Sequence, residues 1–392
     1  MKIVFAAWYD GREVGRGSGT FFHLTRELER QGHDLSYLWP RRIAIPPGTG
    51  LPLASRAVHR AHKTFGKSYP VYLDPLVIRR AGRELRERLA PLDHDVVLTN
   101  DPGIAAAAAS SATTVYYSDL MVGARGPFLE TPGSWLRGAS PVTMWAVRRS
   151  IRRTLDRVAL AVLPAKWSLA AARSYHGRAP LALIPFGANT ADPGPEPART
   201  RSLERIRAKG RIDALFVGKS WLGKGGPVAM DTCAALRERG HKVHLHIAGC
   251  RPPGIGGETT TVHGFLDMRE EEDRAELDRL YRDCDLLLFP STYEGFGIAP
   301  LEAAAYGMPT AGAGAIGLDT SIRHGLSGAL LPAEANGEDY AEAIDTWFRE
   351  PRVYDELVEG ARALFAEELN WSRSAHLLIE AIEGLDAFRR EA

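Results

Sequence analysis

The stretch RIDALFVGKSWLGKGGPVAMDTCAALRERGHKVHLHIAG, residues 211–249, decides the fold. It opens on a short apolar run, RIDALFVG, of the kind that forms a strand covered on both faces. A glycine-rich loop follows. GPVAMDTCAALRERG then carries apolar residues at helical spacing and ends in Gly240, a helix stop. KVHLHIAG is a second strand run. Strand, glycine loop, helix and strand form the unit from which helix-covered parallel sheets are built.

The same order recurs on either side. KIVFAAW (residues 2–8) predicts a buried first strand, and GREVGRGSGT a glycine-rich loop. FFHLTRELERQG predicts a helix stopping at Gly32, and DLSYLW a second strand. DVVLTN, TTVYYS, VALAVLP and LALIPFG are further strand runs with helical patterns between them. GANTADPGPEPARTR (residues 187–201) breaks the rhythm with prolines, glycines and small polar residues, as a linker does. Beyond residue 249, EEEDRAELDRLYRDC predicts a helix and DLLLFP a strand. The fold expected is α/β, with two Rossmann-like doubly wound domains over residues 1–190 and 205–370. The amphipathic segment 371–392 is expected to pack back on the first.

At 392 residues the chain is too long for one ordinary core. Its 45% hydrophobic and 25% charged residues are usual for a globular protein. Cys233, Cys250 and Cys284 cannot all pair and show no metal-ligand spacing, which points to a reducing cytosol. The N-terminal apolar run is too short for a secretory signal, and no run of about 18 apolar residues would span a membrane. A cytoplasmic protein is expected. Residues 1–190 hold 26 Lys+Arg and 14 Asp+Glu, whereas the remainder holds 23 and 34. Either the opposite charges help two domains lie together, or the basic half meets an anionic acceptor or the face of a membrane. No nucleic-acid partner is expected.

Ligands of open α/β sheets bind beyond the carboxyl ends of the strands. Four stretches fall there. In VGKSWLGKGG, Gly218 ends a strand, and Lys219 and Lys224 flank the loop before a helix. Two ammonium groups and the free N–H groups of a helix start suit a diphosphate, although lysines in glycine loops are also common in solvent-exposed turns. The G-x-x-x-x-G-K-[ST] order is absent. In YEGFGIAPLEAAAYGMP (residues 293–309), Pro300 suits a first helical turn and Gly307 its stop. Glu302 is then expected in the first turn, where it could simply cap the helix. Glu294 precedes the loop and has no capping role. The N–H groups of Phe296, Gly297 and Ile298 are expected to point out of the helix start, so that carboxylates could take sugar hydroxyls and amides a phosphate.

The third stretch is GRGSGT, where Gly17 and Gly19 make a tight loop ahead of a helix. G-x-G-x-x-G fails at Phe22, and no acidic residue ends the second strand, which disfavours NAD. The fourth is VYYSDLM, where Ser118 and Asp119 emerge at a strand end, as a turn cap or as cleft residues. His244 and His246 alternate on a strand, a structural pattern. His263, before Gly264 and Phe265 at an expected strand end, is a candidate for a base pocket.

These residues resemble the retaining glycosyltransferases of family 4, with the GT-B fold, over nearly the whole chain and most closely from about Ile212 to Pro332. The E-x7-E motif is carried by Glu294 and Glu302 in EGFGIAPLE. The family's basic pair matches Lys219 and Lys224-Gly225, and VLPAKWSLAAARSYHG with LALIPFGAN resembles the segment closing the first domain.

The resemblance implies two domains facing across a cleft, with donor diphosphate on Lys219 and Lys224. It implies sugar hydroxyls on Glu294, amide contacts from Phe296–Ile298, ribose on Glu302, and the base against the backbone near His263–Leu266. The Gly17–Thr20 loop would close over the donor, and the acceptor would lie on residues 1–190. Asn189 stands where an aspartate is usual, and Ser118 where many members have a histidine, which leaves open the sugar or its catalytic handling. The function implied is retaining, metal-independent transfer from a nucleoside diphosphate sugar, UDP first, to a small-molecule, glycan or lipid-linked acceptor. Lysines and helix N-termini would replace a metal, and no cofactor is implied. An epimerase or hydrolase of the same fold, or a silent nucleotide-sugar-binding subunit, stands as the alternative.

Overall fold

The computed structural model describes residues 1–41, 52–64, 69–109, 111–119, 139–314, 316–350 and 352–391. Leu120 and Met121, in the fourth stretch above, lie outside them. The chain divides into two compact units. One is Met1–Pro185 with the chain from Ser374 onward; the other is Phe186–Arg373.

The first unit is built on six parallel strands: β1 (Lys2–Ala6), β2 (Asp34–Leu38), β3 (Val96–Thr99), β4 (Thr114–Tyr117), β5 (Leu160–Leu163) and β6 (Leu181–Leu183). Their order is β2-β1-β3-β4-β5-β6. Every residue of β3, β4 and β5 is buried, which is why these runs are apolar without alternation. The helix Thr20–Arg30 ends as its sequence predicts. Gly32 takes φ +88°, its N–H reaches the Glu29 carbonyl at 3.0 Å, and the His33 N–H reaches that of Leu28 at 3.1 Å.

The second unit holds β7 (Ile212–Val217), β8 (Val243–Ala248), β9 (Thr260–Gly264), β10 (Leu286–Phe289), β11 (Thr310–Ala313) and β12 (Gly328–Leu331). They are parallel in the order β12-β11-β10-β7-β8-β9, the Rossmann order. The helix Gly226–Glu238 joins β7 to β8 and stops at Gly240, φ +93°. Phe216, Leu245, Ile247 and Leu288 pack with Tyr340, Ile344 and Trp347 of the covering helix Gly337–Arg349. Two strands were not foreseen. TAGA and GALL are short, and Thr310 is their one β-branched or aromatic residue. Gly328 makes their pairing feasible, because a Cβ there would overlap the Thr310 carbonyl oxygen.

The segment 187–201 is not a free linker. The units part at Pro185, and Glu196–Thr200 is a short helix of the second unit. Arg201 is buried. Its guanidinium donates to the carbonyls of Tyr281 (2.7 Å), Arg282 (3.2 Å) and Tyr306 (3.4 Å), and to that of Cys284. Composition marked this segment as loop, but one long donor fork ties it down. Among the described residues no helix is long and apolar enough to cross a membrane.

Candidate active site at the switch point of the second sheet

Chain progression reverses between neighbouring β7 and β10, since one half of the sheet grows from each. Such a switch point leaves a crevice beyond the strand ends, where the loops diverge. Lys219 and Lys224 follow β7, and Glu294 follows β10.

The lysine loop is a tight turn packed on the sheet. The Lys224 N–H reaches the Ser220 carbonyl at 3.0 Å, and the Gly226 N–H that of Trp221 at 2.8 Å. Trp221 lies 5.1 Å from the Phe216 ring and covers Gly226 so closely that a Cβ there would enter the indole. Gly225 takes φ +76°, and a Cβ on it would overlap the Pro290 carbonyl oxygen after β10. Glycine is therefore required where the helix start meets the neighbouring strand end. Gly218 N–H bonds the Ala248 carbonyl at 2.9 Å, and Gly249 N–H that of Gly264 at 2.7 Å. These bonds link the ends of β7, β8 and β9 into the floor of the site.

The side chains do not act as separate groups. Lys224 is ion-paired to Glu294, which is buried, and its ammonium lies 5.5 Å from the Phe289 ring centroid. Lys219 is exposed, its ammonium 5.5 Å from the ring centroid of exposed Phe265. Arg251, beyond β8, was not foreseen: its guanidinium packs within 2.6 Å of where a Gly264 Cβ would stand. Only the glycine leaves room for this third cation, a signal too indirect to read from sequence.

Gly297 caps the helix Ile298–Ala305 in the left-handed region, φ +85°. The N–H groups of Phe296, Gly297 and Ile298 have no hydrogen-bond partner among the described residues. Phe296 is buried, its ring 5.2 Å from that of Phe186. The loop is held from the far side by Gly317, φ +96°, where a Cβ would lie 2.6 Å from the Glu294 and Gly295 carbonyl oxygens. The helix ends at Gly307, φ +65°, with the Met308 N–H on the Ala303 carbonyl at 2.9 Å.

Glu302 departs from expectation. It is the fifth residue of its helix, beyond the first turn, and caps nothing. Tyr281 donates to its Oε2 at 2.7 Å, and burial pushes the carboxyl up to about 7. Tyr281 in turn stacks on Tyr306 at 5.5 Å. His263 also departs. Its Nδ1 pairs with Glu276 at 2.8 Å and its Nε2 with His246 at 3.1 Å, so both ring nitrogens are taken within the sheet and its covering helix. Burial and neighbouring His246 push its pKa down. The pairing does not touch the backbone near His263, the part to which the resemblance assigns the base.

In the first unit, the direction of progression reverses between β1 and β3. Gly17, Ser18 and Gly19 are all left-handed, at φ +54°, +56° and +79°. A Cβ on Gly17 would stand 2.9 Å from the Tyr9 hydroxyl, so the loop folds over Tyr9. Tyr9 accepts a hydrogen bond from Asn100 at 2.9 Å, across the ends of β1 and β3. Asp101 caps the next helix through Ile104 N–H at 2.9 Å, and burial pushes it up to about 7. Tyr9 and Asp101 directly follow strand runs and Asn100 ends one, the only signal the sequence carries for them. Ser118 is buried at the end of β4, where its N–H reaches the Val162 carbonyl at 3.2 Å; Asp119 follows it.

Two D-x-D spacings occur, Asp93–Asp95 and Asp283–Asp285. Each precedes a strand of its own sheet, β3 and β10, at the amino rather than the carboxyl end. Asp93 pairs with Lys2, Asp95 accepts the Lys2 N–H at 2.6 Å, and Asp285 is buried against Lys209 at 2.6 Å. Among the described residues no group of three His, Cys, Asp or Glu is placed to hold a metal ion.

Fold and site together define a doubly wound, two-unit α/β protein of the GT-B type, with cations, carboxylates and open amides at one switch point. Residues 201–364, all within the second unit, match the family model of the group 1 glycosyl transferases. Among curated relatives, the D-inositol 3-phosphate glycosyltransferase of Pseudarthrobacter chlorophenolicus is 28% identical over 187 residues, 44% of this chain and 42% of that protein. The same-named protein of Streptomyces bingchenggensis is 31% identical over 228 residues, 56% of this chain and 45% of that one. The chain thus spans about half the length of the curated relatives it matches. Sucrose-phosphate synthase of Thermosynechococcus elongatus shares the fold, with TM-score 0.68, 16% identity and 99% of each chain covered. So does HepE of Anabaena in complex with UDP-glucose, with TM-score 0.62, 15% identity and 98% and 100% covered.

Proposed function

We propose that this chain is a retaining, metal-independent glycosyltransferase. It uses a nucleoside diphosphate sugar, UDP first, as donor. The observation that carries this is the Lys224–Glu294 pair beside the open N–H groups of Phe296–Ile298, at the switch point of the second sheet. The match to group 1 glycosyl transferases over this unit supports it, as does HepE, a protein of the same fold bound to UDP-glucose.

In this mechanism the donor diphosphate takes the ammonium groups of Lys219 and Lys224 and the helix amides. Lys224 thereby exchanges Glu294 for phosphate, and Glu294 turns to the hydroxyls of the sugar. Glu302 accepts the ribose hydroxyls. The bond from the anomeric carbon to the phosphate oxygen breaks, its electron pair going to the phosphate. The cations stabilise that developing charge. The acceptor oxygen then bonds to the anomeric carbon on the same face, and its proton passes to the departing phosphate. The products are a nucleoside diphosphate and a glycoside of unchanged anomeric configuration.

Thermal-shift titration with UDP, GDP and dTDP tests the donor site. A ligand at a hundredfold excess over its Kd stabilises by about 2.7 kcal/mol. NMR of UDP-glucose with D-inositol 3-phosphate, the acceptor named by the relatives, then tests transfer and reads the anomeric configuration. No shift with any nucleotide sinks the proposal. Donor consumed equally fast without any acceptor makes the protein a hydrolase or isomerase instead.

A further inference from the structure

The helix Pro141–Leu155 of the first unit flanks an open groove of about 710 Å³ that plays no part in the site above. That volume falls within the range of small-molecule sites. Helical spacing sorts the sequence into two faces. Met144, Val147, Ile151 and Leu155 enter the core. Trp145, Arg148, Arg149, Arg152 and Arg153 line the groove, with Tyr175 among the residues beyond the helix that complete it.

The charge there is not balanced within the fold. Residues 139–159 contain five arginines and one carboxylate, Asp156. Arg152 takes that carboxylate at 2.9 Å and also donates to the Tyr175 carbonyl. Arg148, Arg149 and Arg153 have no carboxylate partner among the described residues. Arg148 Nε is buried with no hydrogen-bond partner. Arg153 stands near Arg149 and Arg157; burial, then these like charges, lower its pKa. Beside them the Trp145 ring is 55% exposed, with the Arg149 guanidinium 5.3 Å from its centroid. The Arg149–Trp145 contact is favourable in itself, but guanidinium groups crowded without carboxylates repel one another, and an anion among them relieves that repulsion.

We propose that this groove binds a phosphate-bearing ligand, with Arg148, Arg149 and Arg153 on its phosphates and Trp145 against the remainder. Guanidinium forks match phosphate oxygens two at a time. The helix leads into β5, so its arginine-rich end lies where strands begin. Tyr9, Asn100 and Ser118 lie at the opposite edge, where strands end. The proposal stands independently of glycosyl transfer. Its phosphates could come from a soluble polyphosphate or from lipid headgroups, and the experiment separates these sources.

The purified full chain is titrated calorimetrically with inorganic tripolyphosphate, and separately sedimented with phosphatidylglycerol or phosphatidylcholine vesicles. The variant R149E/R153E is compared with R79E/R83E, which makes the same charge change at exposed positions of the helix Pro75–Leu89. Both variants are checked for native melting. The expected result is binding in at least one arm, weakened about tenfold or more by R149E/R153E and less than twofold by R79E/R83E. Loss of tripolyphosphate binding identifies a soluble source, and loss of phosphatidylglycerol sedimentation a lipid one. No binding in either arm, or equal loss in both variants, overturns the proposal.

Discussion

The ammonium of Lys224 is ion-paired to the carboxylate of Glu294, 70 residues further along the chain, across the switch point between β7 and β10. Neither residue is fully exposed. Each is therefore positioned by the other before any ligand arrives.

That pairing makes a specific prediction for turnover. Lys224→Ala and Glu294→Ala should each lower kcat by roughly 10²–10³-fold, the scale of one lost charge-stabilising group. Both variants should stay folded. The double variant should fall far short of the product of the two losses, because each single change already frees the other partner. Steady-state kinetics of the three variants decide it. Near-wild-type turnover in either single variant would remove Lys224 and Glu294 from the site.

Glu302 gives a pH prediction. Burial raises its carboxyl from 4.5 to about 7. Between those values the folded protein keeps a proton that the unfolded chain has released. Stability from this group is therefore fully present below about 4.5 and lost as pH rises through 7. Glu302→Gln keeps an acceptor for Tyr281 and abolishes the titration. It should melt like the wild type at pH 5 and be more stable at pH 8 by roughly 1–3 kcal/mol. Its affinity for UDP should fall at pH 8, where only the wild type offers a full carboxylate to ribose. Parallel melts at the two pH values test the first part, and calorimetry the second.

Much of this was legible in the sequence. Apolar runs spaced by glycine-stopped helices marked nine of the strands, and His263 the end of a tenth, because strands buried on both faces need no alternation. Lys224 and Glu294 were legible because both follow strand runs. Their pairing was not, since it depends on β7 and β10 being neighbours, a fact of sheet order rather than of spacing. His263 misled for a similar reason. A strand-end histidine looks free until the adjacent strand supplies His246 and the covering helix Glu276. Glu302 was misplaced by Pro300, which suits several first-turn positions because none of them needs its N–H.

Gly225 carries a steric prediction. It and Gly210 are both left-handed, at φ +76° and +69°, but a Cβ on Gly210 meets open space. Gly210→Ala should cost about 1 kcal/mol, the conformational penalty alone. Gly225→Ala adds an overlap with the Pro290 carbonyl and should cost about 3 kcal/mol or more. It should also weaken UDP binding, since the lysine loop and β10 must part to accept the methyl group. Urea denaturation of both variants compares them, and equal costs would mean that the close approach to Pro290 does not constrain the site.

Arg201 tests whether residues 187–201 belong to the second unit. The buried guanidinium satisfies carbonyls of Tyr281, Arg282, Cys284 and Tyr306, at the carboxyl ends of two helices and the start of β10. Arg201→Ala leaves those oxygens unpaired, at a cost of roughly 3 kcal/mol. Arg201→Lys keeps the charge but not the planar fork, and should recover only part of that loss. Because Tyr281 also holds Glu302, both variants should loosen UDP binding without touching the ligand. A variant with wild-type stability in urea would show that this segment is an ordinary linker after all. Full rescue by lysine would show that charge, not geometry, anchors it.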